Sequence, residues 1–120
     1  MKDFRNLDVW SAAKDLATAV YLETRAFPRS ELFGLTAQMR RAAVSIASNV
    51  AEGSQRQSDV EFARFVGYAR GSAAELATQV VISTEAGLMT AEASSDLTKQ
   101  LERVRMMLQR LHGRLTESVG

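Results

Sequence analysis

Apolar positions recur along this chain at alternating intervals of four and three, in four separate runs. Such spacing gathers residues on one side of a helix and aims them at a partner. The last run is the most regular: Leu97, Leu101, Val104, Leu108, Leu111 and Leu115. Thr90 is its candidate N-cap, and Val119-Gly120 is expected to fray. The third run reads Phe62, Val66, Ala69, Ala73, Leu76, Val80 and Ser83, with Phe65, Tyr68 and Ser72 as a flanking row. Ser58-Asp59-Val60-Glu61 before it has the capping-box form, and Gly87 closes it. The first run covers about Leu7 to Ala26, with the stripe Trp10, Ala13, Ala17, Val20, Thr24 and Phe27. Asn6 is its N-cap candidate, and Phe27-Pro28 ends it because the residue before proline is driven out of the α region.

The second run, Gly34 to Gly53, is the least ordinary. Its seam is Leu35, Met39, Ala42, Ile46, Asn49 and Gly53. Asn49 places an amide on that seam and Gly53 places nothing. Ala43, Ser45, Ala47, Ser48 and Ala51 cover the other sides, which suits close backbone contact. Gly53 also suits a left-handed C-cap. A buried seam amide fixes helix register or oligomer state; the competing role is a polar contact to a ligand.

Short connections make successive helices antiparallel neighbours, so the expected fold is all-α: an antiparallel, up-down-up-down four-helix bundle filling residues 1–120 as one domain. Composition agrees, with one proline and seven glycines in 120 residues. The small-residue faces of the second and third helices exceed what one internal seam requires, and self-association is expected, most simply as a closed cyclic assembly.

The absence of cysteine excludes disulfides and thiolate metal sites. No hydrophobic leader opens the sequence and no window is apolar enough to span a bilayer, so a cytoplasmic protein without membrane association is expected. The net charge of +1 gives no bulk argument for nucleic acid; a basic footprint has to be local.

Chemistry is sparse. Di-iron bundles need two Glu-x-x-His pairs, whereas this chain has one histidine, His112, preceded at three residues by Gln109. No nucleophile-base-acid set and no glycine-rich phosphate loop falls at workable spacing. No enzymatic activity, metal or cofactor is therefore expected. The sharpest basic feature is Arg40-Arg41, reinforced by Arg56. Salt bridges to Glu52 or Glu75 are one use for it and phosphate contact is the other. Glu75 is expected as a paired charge at a helix boundary.

Several segments together resemble the four-helix bundle proteins encoded in intervening sequences of bacterial 23S rRNA genes. They are Phe4 to Trp10, Ala26-Phe27-Pro28, the Gly34–Gly53 block, Glu61 to Phe65 and Gly71 to Leu76. Ala47 departs from the pattern, in which proline is common at that position. The resemblance implies a four-helix bundle and a homopentameric barrel. It also implies a link to the accessory variability determinant proteins of diversity-generating retroelements, which bind nucleic acid and a reverse transcriptase. Arg40, Arg41, Arg56 and Arg64 are the positions here that could serve such a surface; Asn49, Glu52 and Glu75 are the expected structural or oligomer contacts. The expected function is a non-enzymatic homo-oligomer that binds RNA or DNA, the alternative being a purely structural or protein-binding oligomer.

Overall fold

A computed structural model describes residues 3–117. After a short 3-10 turn at Phe4–Asn6 come α1 (Asp8–Thr24), a second 3-10 turn (Arg29–Glu31), α2 (Leu35–Ser54), α3 (Asp59–Glu85) and α4 (Ala91–Glu117). Each helix packs against the next and α4 closes back onto α1, so α2 and α4 stand diagonally opposed. The result is the antiparallel four-helix bundle the periodicity predicts, a rod of 46 × 20 × 20 Å. The frayed end expected at Val119-Gly120 lies outside the described residues.

The leucine stripe of α4 is buried over its whole length. It meets Leu16 of α1, Met39 and Ile46 of α2 and Leu76 of α3 in one core. Burying each such side chain contributes about 1.5–3 kcal/mol. The α3 stripe is also buried except Phe62, which is half-buried, while Tyr68 of the expected flanking row is exposed.

On α1 the buried face is rotated from the expected one. Val9, Ala13, Leu16, Val20 and Thr24 are buried, while Trp10 and Ala17 lie half-exposed beside them. The helix ends at Thr24, two residues short of expectation. Its N-terminus follows Leu7, with no side-chain cap from Asn6. Instead Asp3 caps the preceding turn, accepting from the Arg5 backbone N–H and Nε at 3.0 Å. The Arg5 guanidinium holds the Asp3 carboxyl below the usual range and is itself raised by it.

Both ends of α3 and the start of α4 follow their signals, although the capping box is only half formed, since the Glu61 carboxylate accepts from Arg64 and not from Ser58. The Ser58 hydroxyl accepts from the Glu61 N–H at 3.2 Å, and that of Thr90 from the Ala93 N–H at 3.1 Å. Gly87, at φ 78°, closes α3 in a Schellman motif: Leu88 N–H reaches the Ser83 carbonyl at 2.9 Å and Gly87 N–H reaches Thr84 at 3.1 Å.

Gly53 is not the left-handed cap of α2. It lies inside the helix, buried against α3. A Cβ there would stand 2.6 Å from Phe65 Cβ and 3.0 Å from Phe62 Cδ1. The glycine is required by the approach of two backbones, not by its own dihedrals. Further along the same seam, Ser45 and Ser72 share a hydroxyl bond of 2.9 Å, and the Ser83 hydroxyl reaches Met39 Sδ at 3.3 Å.

Candidate functional site

Asn49 is half-buried at the edge of the α2–α3 seam, displaced from the core by Val50, which takes the buried position. Its amide donates to the Ser45 carbonyl at 2.8 Å and to Ser45 Oγ at 3.0 Å. Through the Ser45–Ser72 bond this makes a short polar chain between the two helices. Glu75 is exposed and accepts from Gln79 Nε2 at 3.4 Å, within its own helix.

The four arginines do not form one patch. Arg40 leans across to α1, where Nε donates to Thr24 Oγ1 at 2.9 Å and the guanidinium lies 4.6 Å from the Tyr21 ring centroid. Neither Glu52 nor Glu75 is its partner. Arg41 faces outward and, among the described residues, no carboxylate oxygen lies within 4.0 Å of it.

Arg56 and Arg64 meet some 24 Å further along, at about 1.5 Å of rise per residue. They flank Phe65, with centroid distances of 4.6 and 5.8 Å. Arg56 pairs with Glu52 at 3.2 Å and Arg64 with Glu61 at 2.6 Å. Exposed pairs of this type contribute at most about 1 kcal/mol, so a phosphate can compete for both. Tyr68 stacks edge-on to Phe65 at 5.5 Å and is 52% exposed. The structure thus gathers two of the four arginines, with aromatic neighbours, at the α2–α3 turn.

Two surfaces give shape to the extra interface that the small residues of α2 and α3 suggest. The first is a groove of about 560 Å³ between α1 and α2, with Trp10, Ala17, Tyr21, Val44 and Ala47 among its lining. Trp10 and Ala17 sit on the predicted stripe, and the rotation of α1 moves them out to the groove. Helix α2 runs unbroken through Ala47, which forms part of the groove wall. The second surface is the outer face of α3. Val60, Val81 and Ile82 are 58%, 56% and 48% exposed there. Between them lie the exposed Gly67, Gly71, Ala74 and Thr78. A Cβ at Gly67 or Gly71 would meet nothing within 4 Å.

Among the described residues, no three His, Cys, Asp or Glu side chains gather in a way that would hold a metal ion. No helix there is long and apolar enough to cross a membrane.

An elongated all-α bundle with a heptad core and little titratable chemistry defines the class. Comparison with known proteins narrows it. The family described as 23S rRNA-intervening sequence protein matches residues 5–110. The chain belongs to that family. A similar fold occurs in a Bacteroides thetaiotaomicron protein described as having unknown function and as coming from the S23 ribosomal protein family. Its crystal structure superposes with a TM-score of 0.78 at 19% identity, covering 87% of this chain and 97% of that one. At that identity the likeness concerns the fold alone. A search of curated proteins gives no match.

Proposed function

We propose that this chain is a non-enzymatic, cytoplasmic bundle that assembles into a homo-oligomeric ring and binds RNA or DNA through arginines that the ring multiplies. The outer face of α3 carries the assembly half of this reading. Glycine inside a helix costs about 0.8–1 kcal/mol relative to alanine. Gly67 and Gly71 therefore cost about 2 kcal/mol together, and no contact within the chain requires either. Close approach by a helix of another copy supplies the missing requirement. The α1–α2 groove, walled by small and aromatic side chains, is a complementary seat for that face. Two different surfaces meeting head to tail generate a ring when the rotation closes; the family resemblance puts the number at five.

The nucleic-acid half rests on Arg41, Arg56 and Arg64. Arg41 faces outward with no ion pair among the described residues, and the other two are held by exposed pairs and by the ring of Phe65. A ring repeats a weak patch several times, and avidity offsets the near-neutral charge of one chain. The purely structural or protein-binding alternative is favoured by Arg40, which is committed to Thr24 and Tyr21 inside the chain.

Light scattering behind a sizing column tests the assembly. The parent is expected to run as one discrete oligomer, and Ala74→Glu as a folded monomer. A parent that stays monomeric at high micromolar concentration refutes the ring. Fluorescence anisotropy of labelled RNA hairpin and duplex DNA tests the second half: no binding at low salt leaves the protein-binding reading.

A further inference from the structure

We propose that the outward face of α4 is a docking strip for the phosphate backbone of a nucleic-acid duplex. This rests on the nucleic-acid reading above and moves its principal contact away from the α2–α3 turn. Lys99, Arg103, Arg110 and Arg114 follow one another at intervals of four, seven and four. At 100° per residue they fall within an arc of about 60°, on the side of α4 away from its leucine stripe, and span about 22 Å. All four are exposed. Among the described residues none has a carboxylate oxygen within 4.0 Å, which is also true of Arg25, Arg29, Arg40, Arg41 and Arg70, but those do not share one helix face. Met106, 52% exposed, fills the gap in the row.

Complementing the helix dipole is the ordinary use for basic residues late in a helix. That effect is confined to the last turn. It accounts for Arg114 and leaves Arg103 and Arg110, which lie 14 and 7 residues before the end of α4 at Glu117, without a role. The same arc carries Glu92 and Asp96 before the row and Glu117 after it, so the strip has defined ends. Inside it four cations lie in a row on a rigid helix, bordered by Glu102, whose carboxylate is paired with Arg105.

That geometry suits a partner that is itself straight, rigid and regularly charged. A duplex carries one phosphate per 3.4 Å of its axis on each strand, so several phosphates of a stiff backbone face a strip of this length. A flexible acidic peptide would have to be ordered against it at an entropic cost. Guanidinium groups also match phosphate oxygens in bidentate geometry. None of the four side chains belongs to the surfaces assigned above to assembly.

The test titrates labelled 20-base-pair RNA and DNA duplexes with the full chain between 50 and 200 mM KCl. It compares the parent, Arg103→Gln/Arg110→Gln, and Arg41→Gln/Arg56→Gln/Arg64→Gln. Four phosphate contacts per engaged chain give a slope of log K against log salt near −3.6, an affinity loss of about 150-fold across that range. The α4 double variant is expected to halve the slope, to a loss of about 12-fold, and to weaken binding at 50 mM KCl. The triple variant is expected to keep most of the slope. Circular dichroism confirms that the exposed substitutions leave the fold intact. A double variant indistinguishable from the parent, with the triple variant losing binding, overturns the strip and leaves the nucleic-acid reading standing. No binding by the parent at 50 mM KCl overturns both. Tighter binding to a labelled poly-glutamate than to either duplex overturns the assignment of a duplex partner.

Discussion

Replacing Gly53 by alanine separates two opposing effects whose sizes follow from the structure. Intrinsic propensity favours the change by up to about 1 kcal/mol, less here because Gly53 is one residue from the end of α2. Packing opposes it. The added methyl would lie 2.6 Å from Phe65 Cβ, against about 3.5 Å for carbon atoms at an ordinary separation. Phe65 cannot rotate its own Cβ away, so α2 and α3 must part by close to an ångström at that level. Overpacking of this kind costs about 1–3 kcal/mol. The expected balance is a loss of about 1–2 kcal/mol, a fall in Tm of roughly 4–8 °C for a chain of this size. Thermal unfolding followed at 222 nm, below the concentration at which the chain associates, gives the number. Gly67→Ala is the control: its Cβ meets nothing within 4 Å, and the same propensity gain is expected to raise Tm. A Gly53→Ala chain more stable than its parent, as Gly67→Ala is expected to be, would refute the close-approach account and leave propensity as the whole effect.

Other outcomes follow from single contacts. Arg40→Met is expected to lower stability by about 1–2 kcal/mol in urea, through loss of the Thr24 bond and the Tyr21 face, while leaving nucleic-acid affinity within twofold. Ser58→Ala removes the acceptor for the Glu61 N–H and should cost about 1 kcal/mol by thermal unfolding. Asn49→Leu breaks the polar chain to Ser45 and Ser72 yet keeps the half-buried volume; a scattering mass equal to the parent's is expected, since the amide's bonds are within the chain. Asp3 should titrate below the ordinary aspartate value near 3.9 in a carbon-detected NMR titration. Its folded pKa is depressed, so its contribution is present above the unfolded pKa and disappears as pH falls through the folded one.

The four helices were legible because each carries an apolar stripe long enough to mark a helix, although only that of α4 named its buried face completely. Leu97 to Leu115 named the α4 core without error. The α1 stripe failed because two rows, one with Trp10 and Ala17 and one with Val9 and Leu16, are both apolar at helical spacing. Only the positions of α2 and α4 decide which row turns inward. Asn49 failed for a related reason: Val50, one residue on, competes for the same inward position and is cheaper to bury than an amide. Gly53 was recognised as a place for close contact, but its use as a cap was wrong, because a cap needs positive φ and the contact needs only the missing Cβ. The candidate site was less legible still. Spacing located Arg40 and Arg41 but could not show that Tyr21 and Thr24 wait beside one of them. Conversely, the α4 arginines stood in plain view as flanking residues, and their lack of ion pairs is a property of three-dimensional neighbours.

The α2–α3 seam has a bearing on how the chain folds. The Gly53 approach, the Ser45–Ser72 bond and the Met39–Ser83 contact stitch one hairpin along its length. These links span at most 44 residues of chain. The α1–α4 seam is the thinnest of the four and joins the two ends of the chain, with Asp8 and Leu111 in one notch. Loop closure is costlier for such distant partners, so the central hairpin is the natural folding nucleus and the α1–α4 seam the last to zip. The order reverses on opening. Amide exchange in α1 should report a sub-global unlocking in which the chain's ends part while the central hairpin stays protected.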